Sequence, residues 1–252
     1  MNVPRTPRRD RGLIEGMLRV LPAFADLSPA QLQNLVRHCW VLAAPRGEAI
    51  VRVGERPPGI LAVAYGSVKL AMRNGGDAER VFALLAARQT FGEAPALLGR
   101  AAPYEAVAMT ETKLVVIPGA AVLALIEAEP RFAKAWLRSL AEKEYALCAE
   151  IGAAGLQTGA ERLAAYLGEL AGAPGASDEC VVVLPITKTL LAARLGMKKE
   201  TLSRLLKQFA LRGLIAVGRA RSLVVHRERL VMAASSAHAE LDAGQVPEEA
   251  PG

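Results

Sequence analysis

An α+β fold in three parts is what this sequence predicts: a small β domain, a long helix, and a C-terminal domain of short helices closed by a β hairpin. Three observations lead there. Short apolar segments punctuated by glycines fill the first half. The apolar spacing lengthens to threes and fours after about residue 120. Two helix-like segments meeting at Gly196 then precede two short strands.

The β domain is expected over 20–118. Its strands are Ala49–Val53, Leu61–Tyr65, Val68–Met72, Arg80–Leu84, Tyr104–Ala108 and Leu114–Ile117. In Leu61, Val63, Tyr65 and in Val68, Leu70, Met72 the larger side chains alternate, the pattern of half-buried strands. Gly47, Gly54, Gly66, Gly75–Gly76 and Gly92 stand between them, where the backbone must turn tightly. A short helix over Ser28–His38 precedes the strands, with Ser28 as N-cap and Pro29 in the first helical position.

A linker and a long helix follow over 119–157. Leu137, Leu140, Glu144, Leu147, Ile151 and Ala154 recur at alternating spacings of three and four, a seam able to pair with its own copy in parallel. The same stripe could instead pack on the β domain. Residues 1–19, with Pro4, Pro7 and clustered arginines, and residues 233–252 are expected to be flexible.

The segment Ile186–Phe209 carries the chemistry of the domain over 158–232. Thr187 caps a short helix running to Leu195, with Leu191 and Leu195 inward, and Gly196 lets the chain reverse. In a second helix, Lys198–Leu211, the residues Leu202, Leu205, Leu206 and Phe209 make one apolar face, and Ala192 allows close crossing. The opposite face carries Lys199, Glu200, Ser203, Arg204 and Lys207, donors and an acceptor spaced to meet base edges in a major groove. Glu200 and Arg204 could equally form an i,i+4 surface ion pair. Strands at 213–217 and 222–225 flank Gly218-Arg219-Ala220-Arg221, a basic-tipped wing. The expected base readers are Glu200, Ser203, Arg204 and Lys199. The expected phosphate contacts are Thr187, Lys188, Lys198, Thr201, Lys207, Arg219 and Arg221.

Charge agrees. The chain has a formal net charge of +6, yet residues 185–232 alone hold eleven Lys/Arg against Glu200 and Glu228. Such a block suits a polyanion such as double-stranded DNA. Runs such as Leu114–Ile126 are too short to span a bilayer, and Glu15 and Arg19 interrupt any signal-peptide core, so a cytoplasmic protein is expected. Cys39, Cys148 and Cys180 form no paired motif, which argues against a disulfide framework or a structural zinc site. There is no Gly-rich phosphate loop and no clustered Ser/His/Asp set, so no enzyme is expected.

With these residues in place the chain resembles the CRP/FNR family of bacterial transcription regulators over nearly its whole length. Glu200-Thr201-Leu202-Ser203-Arg204-Leu205-Leu206 is similar to the E-T-x-S-R-x-L core of that family's recognition helix. Gly66-Ser67-Val68-Lys69 and Phe91-Gly92-Glu93 match its β-roll signatures. The resemblance implies a cyclic-nucleotide-binding-like β-roll, a long dimerisation helix, a winged helix-turn-helix, a homodimer, and RNA polymerase as a further partner. It also implies half-sites of TTGA type, and an effector pocket around Gly92, Glu93, Arg100 and Tyr104.

Within the family, the cAMP-binding branch places an Arg-Ser pair about ten residues after the Gly-Glu, where this chain has Pro103-Tyr104. Its pattern resembles instead the redox- and nitric-oxide-sensing branch that includes the dissimilative nitrate respiration regulator. cAMP is therefore not the expected effector. Iron–sulfur members need four clustered cysteines, and none here precedes Cys39, so no cluster is expected. Haem stays open, with His38, Cys39, Cys148, His226, His238 or a methionine as ligand; His38 is expected to be a partly buried structural histidine. Two alternatives also stay open. One is a cyclic-nucleotide-responsive regulator using Glu93 and Arg100, and the other is a protein-interaction module without specific DNA binding.

Overall fold

The computed structural model describes residues 9–73, 79–172, 179–184, 186–218, 222–226 and 228–230. Gly75–Gly76, the wing tip with Arg219 and Arg221, and the segment 233–252 lie outside them. The chain divides into two compact units, Met1–Cys148 and Ala149–Gly252.

In the first unit, α1 (Arg11–Val20) and α2 (Pro29–His38) precede eight strands: β1 (Trp40–Ala44), β2 (Ala49–Val51), β3 (Ile60–Tyr65), β4 (Val68–Arg73), β5 (Glu79–Leu85), β6 (Thr90–Phe91), β7 (Glu105–Ala108) and β8 (Thr112–Ile117). A short helix, α3 (Glu93–Leu98), interrupts them, and α4 (Gly119–Ala128) follows. The strands form two antiparallel four-stranded sheets, in orders β1-β8-β3-β6 and β2-β7-β4-β5. Ser28 caps α2 in a full capping box with Gln31, and Pro29 opens the helix, as its missing N–H permits.

Between the sheets lies one core, to which Leu42, Val51, Leu61, Val63, Val68, Leu70, Phe91, Leu114 and Val116 contribute. A second core lies on the other face of the β1-β8-β3-β6 sheet. There Ile60, Ala62, Val115 and Ile117 meet Ile14, Leu18, Phe24, Leu35, Val122, Phe132 and Trp136 from the helices. Consequently β3 is buried on both faces from Ile60 to Val63, not half-buried as the alternation of Leu61 and Val63 predicts. Helices cover the face that the alternation left to solvent.

One of those helices corrects the expectation of a flexible segment over 1–19. Residues 11–20 form α1, capped by Asp10, whose Oδ1 accepts from the Leu13 N–H at 3.0 Å. Ile14, Met17, Leu18 and Leu21 recur at i, i+3, i+4 and i+7 and are buried. The flanking arginines mask this short period in the sequence.

The stretch expected as linker and long helix is two helices, α4 and α5 (Pro130–Leu156), separated at Glu129, whose extended backbone suits the residue before proline. Phe132, Trp136 and the partly buried Leu140 attach α5 to the second core, and Phe24 packs on both aromatic rings at 5.4 and 5.6 Å. The predicted stripe therefore has two environments. Leu140 packs inward, whereas Leu137, Leu147 and Ile151 are 66, 48 and 71% exposed.

The second unit has its own core. After α5 come α6 (Gly159–Ala171), β9 (Glu179–Val183), α7 (Lys188–Arg194), α8 (Lys199–Leu211), β10 (Ile215–Val217) and β11 (Ser222–His226). The strands pair antiparallel in order β10-β11-β9. Leu163, Leu167, Val182, Leu191, Leu202, Phe209, Ile215 and Val225 fill the space between sheet and helices.

Candidate nucleic-acid interface and β-roll site

The two helices expected around Gly196 are α7 and α8. The Thr187 side chain accepts from the Leu190 N–H and starts α7; Leu191 and Ala192 are buried against Leu202, Leu206 and Phe209. The turn is a Schellman motif, in which the Met197 N–H donates to the Ala192 carbonyl at 2.9 Å and the Gly196 N–H to Ala193 at 3.3 Å. Gly196 has φ +64, the left-handed conformation expected of it. The end of α8 repeats the device, with Gly213 at φ +66 and the Leu214 N–H donating to the Phe209 carbonyl at 2.9 Å.

Burying that apolar stripe turns the other face outward. Lys199, Glu200, Ser203, Arg204 and Lys207 are exposed, while Thr201 is half-buried at the boundary. From Glu200 to Lys207 the face runs about 10 Å along the helix, roughly three base-pair steps. The alternative i,i+4 ion pair does not form: neither Glu200 nor Arg204 has an ionic partner among the described residues. The side chain of Lys198 does not cap α8, so its first backbone N–H groups have no side-chain cap, and Thr187, Lys188 and Lys198 are all exposed. β10 and β11 pair as a hairpin, Ile215 opposite Val225, closed by the Gly218 N–H to Ser222 carbonyl bond at 2.9 Å.

Two elements here escaped sequence reasoning. α6 had a visible signal, since Thr158 and Glu161 make a capping box ahead of Leu163, Ala164 and Leu167. β9 had less. Cys180 and Val182, with Leu184 just after the strand, pack on the core, while the chemically identical Val181 and Val183 are exposed, so its composition says little about which side is buried.

In the β-roll, Gly92 has φ +83 and ends β6 where α3 begins. Glu93 is buried, and its Oε1 accepts a hydrogen bond from Lys143 Nζ at 2.5 Å. The same ammonium donates to the Thr90 carbonyl at 2.8 Å and to Thr90 Oγ1 at 2.9 Å. Lys143, fifty positions along the chain on α5, is the member that the sequence alone did not supply. Tyr104 is half-buried and stacks edge-on against Phe82 at 5.6 Å. Its phenol is pushed up to about 12, first by burial and then by the Glu93 carboxylate, with a Gly92 backbone hydrogen bond opposing.

The structure thus brings Gly92, Glu93 and Tyr104 together and leaves out Arg100. That residue is exposed beyond the left-handed Gly99, and its guanidinium has no partner among the described residues. Of the candidate haem ligands, Cys39 is buried and its thiol is pushed up to about 12 by that burial. His38 beside it is exposed, not partly buried as expected. Cys148 is exposed on α5, and His226 faces Glu179 across the second unit's sheet at 3.6 Å. His238 lies outside the described residues. No group of three His, Cys, Asp or Glu placed to hold a metal ion occurs among the described residues. Among them, too, no helix is long and apolar enough to cross a membrane.

Known proteins share this organisation. Residues 41–129 match the cyclic nucleotide-binding domain and residues 161–232 the Crp-like helix-turn-helix domain. The cyclic AMP receptor protein of Thermus thermophilus is 28% identical over 197 residues, 78% of this chain and 89% of that one. Among solved structures, FixK2 from Bradyrhizobium japonicum is 21% identical, with 77% of this chain and 96% of that one covered at a TM-score of 0.62. A CooA variant from Carboxydothermus hydrogenoformans is 17% identical, with 83 and 91% covered at a TM-score of 0.68. These last two likenesses speak for the fold. The chain thus joins a cyclic nucleotide-binding domain to a Crp-like helix-turn-helix domain, the organisation of a CRP/FNR-like DNA-binding transcription regulator.

Proposed function

We propose that this regulator binds DNA as a homodimer and reads a two-fold site with TTGA-like arms through α8. The observation that carries the reading is the outward face of α8, where Glu200 and Arg204 stand exposed, without ionic partners among the described residues, opposite the buried Leu202, Leu206 and Phe209. Arg204 pairs with guanine O6 and N7, Glu200 accepts from the cytosine opposite, and Ser203 meets an outer thymine. Lys199, at the start of the helix, meets the outermost base. Thr187, Lys188, Lys198, Thr201, Lys207 and the wing's Arg219 and Arg221 hold phosphates and set register. Leu137, Leu147 and Ile151 support the dimer, since an exposed apolar stripe on a long helix is covered when its copy pairs with it. The half-sites then lie about one helical turn apart. RNA polymerase is the further partner and the cytoplasm the compartment.

The signal enters at the β-roll and, on this reading, is redox state or a gas and not cAMP. Pro103-Tyr104 offers no cation for a cyclic phosphate, and Glu93 is already engaged by Lys143. The match of residues 41–129 to the cyclic nucleotide-binding domain favours a second reading, a cyclic-nucleotide-responsive regulator. Calorimetry separates them: micromolar binding of cAMP establishes the second reading, and no heat supports the first.

The test of DNA reading is a binding titration against every single-base variant of the half-site at two salt concentrations. Arg204→Ala is expected to cost about 1–3 kcal/mol per half-site and to flatten the preference at guanine. Lys207→Ala weakens all sequences alike and lowers the salt slope by about one contact. If Arg204→Ala leaves base preference intact, α8 is not the reader.

A further inference from the structure

One side chain ties the segment following the long helix to the turn of the helix-turn-helix. Arg162, in the first turns of α6, donates from Nε to the Leu195 carbonyl at 2.9 Å and from Nη1 to the Gln157 carbonyl at 2.6 Å. Gln157 is the residue immediately after α5, and Leu195 caps α7 just before the Gly196 turn. Alongside, a Cβ placed on Gly159 lies 3.4 Å from Met197 Cε and 3.6 Å from Leu205 Cδ1, so the start of α6 rests against both the turn and α8. That start is stiff: Glu161 is buried and reciprocates the Thr158 cap, accepting from the Thr158 N–H while donating its own N–H to Thr158 Oγ1. A guanidinium suits the place, because its donors leave one rigid plane in fixed directions and its charge strengthens both bonds to carbonyl oxygens.

We infer that Arg162 is a positioning residue for DNA reading. It pins the chain where the long helix ends to the turn that launches α8, so the orientation of α8 follows the end of α5. This deepens the proposed function and rests on α8 being the reader. Lys199 and Glu200 follow Leu195 by four and five residues and no side chain caps α8, so movement of the turn reaches these side chains first. Hydrogen bonds to base edges weaken steeply with misplacement, so loss of the pin lowers discrimination before it lowers phosphate binding.

The experiment compares the full-length protein with Arg162→Ala and Arg162→Lys, measuring affinity for the cognate site and for unrelated duplex at two salt concentrations. Thermal unfolding and amide hydrogen exchange are measured in parallel. Arg162→Ala is expected to lower cognate affinity about ten-fold. Affinity for unrelated duplex and the salt slope stay unchanged, and exchange at the Gly196 and Met197 amides quickens. Arg162→Lys, which keeps one charged donor, recovers part of the cognate affinity. Equal losses on both duplexes with a shallower salt slope make Arg162 a phosphate contact and overturn the inference. A lowered Tm with an unchanged ratio of cognate to unrelated affinity makes it a stabilising residue only, and overturns it too. If the unaltered protein does not discriminate between the duplexes, the reading of α8 falls and takes this one with it; if it does, and Arg162→Ala discriminates equally, only the pin falls.

Discussion

Replacing Gly66 by alanine tests what the Gly66-Ser67-Val68-Lys69 signature is for. Gly66 sits between β3 and β4 at φ +88, and a Cβ there lies 2.4 Å from the Glu111 carbonyl oxygen and 2.7 Å from Thr112 Oγ1. The left-handed conformation costs a residue with a Cβ about 1–2 kcal/mol. Relieving the overlap requires displacing backbone, typically about 1–3 kcal/mol more. The neighbours have little room to yield. Thr112 is buried, its hydroxyl donates to the Thr110 carbonyl at 2.9 Å, and the Ser67 N–H donates to Thr110 Oγ1 at 3.1 Å. The expected loss is therefore roughly 2–5 kcal/mol. Gly54, at φ +82 with nothing within 4 Å of an added Cβ, supplies the control: Gly54→Ala carries only the conformational part, about 1–2 kcal/mol. Urea unfolding followed by tryptophan fluorescence suits the measurement, because both tryptophans, Trp40 and Trp136, belong to the first unit. Equal losses for the two variants refute the steric argument. A loss below about 1 kcal/mol for Gly66→Ala refutes the conformational one as well.

Other outcomes follow from burial and charge. Cys148, exposed on α5, is expected to react promptly with a thiol reagent in the folded protein, whereas Cys39, buried with its thiol pushed up to about 12, reacts only on unfolding. In an ultraviolet titration Tyr104 is expected to ionise near pH 12, a step that Tyr104→Phe removes. Because the folded phenol holds its proton above the ordinary value of 10, its contribution to stability is full below about pH 10 and is lost as pH rises through about 12. Unfolding midpoints of the unaltered protein and Tyr104→Phe should converge over that window. For assembly, Leu147→Glu with Ile151→Glu is expected to give a monomer by light scattering without loss of the first unit's core, since both side chains are exposed. Leu140 is unsuitable for this test because it packs on that core. A double variant that stays dimeric places the interface elsewhere.

Local order was legible in the sequence wherever a side chain's role depends on near neighbours. The Ser28 cap, the Gly196 reversal and the apolar stripe of α8 are each settled within one or two helical turns, and the structure places them as their spacing predicts. The face opposite that stripe followed automatically, because a helix that buries Leu202, Leu206 and Phe209 must present Glu200, Ser203 and Arg204 outward. What required the tertiary structure is whatever depends on a partner distant in the chain. Only helices packed on the outer sheet bury β3 on both faces, and only that packing turns the arginine-flanked stretch 11–20 into part of the core. The contacts of Glu93 behave likewise. Glu93 and Arg100 are neighbours in sequence, but the cation that reaches Glu93 is Lys143, delivered by α5, while Arg100 points to solvent beyond Gly99. Arg162 meets Leu195 across 33 residues for the same reason. Periodicity and capping encode what a segment does to itself, and which charge meets which is decided by how separate segments pack.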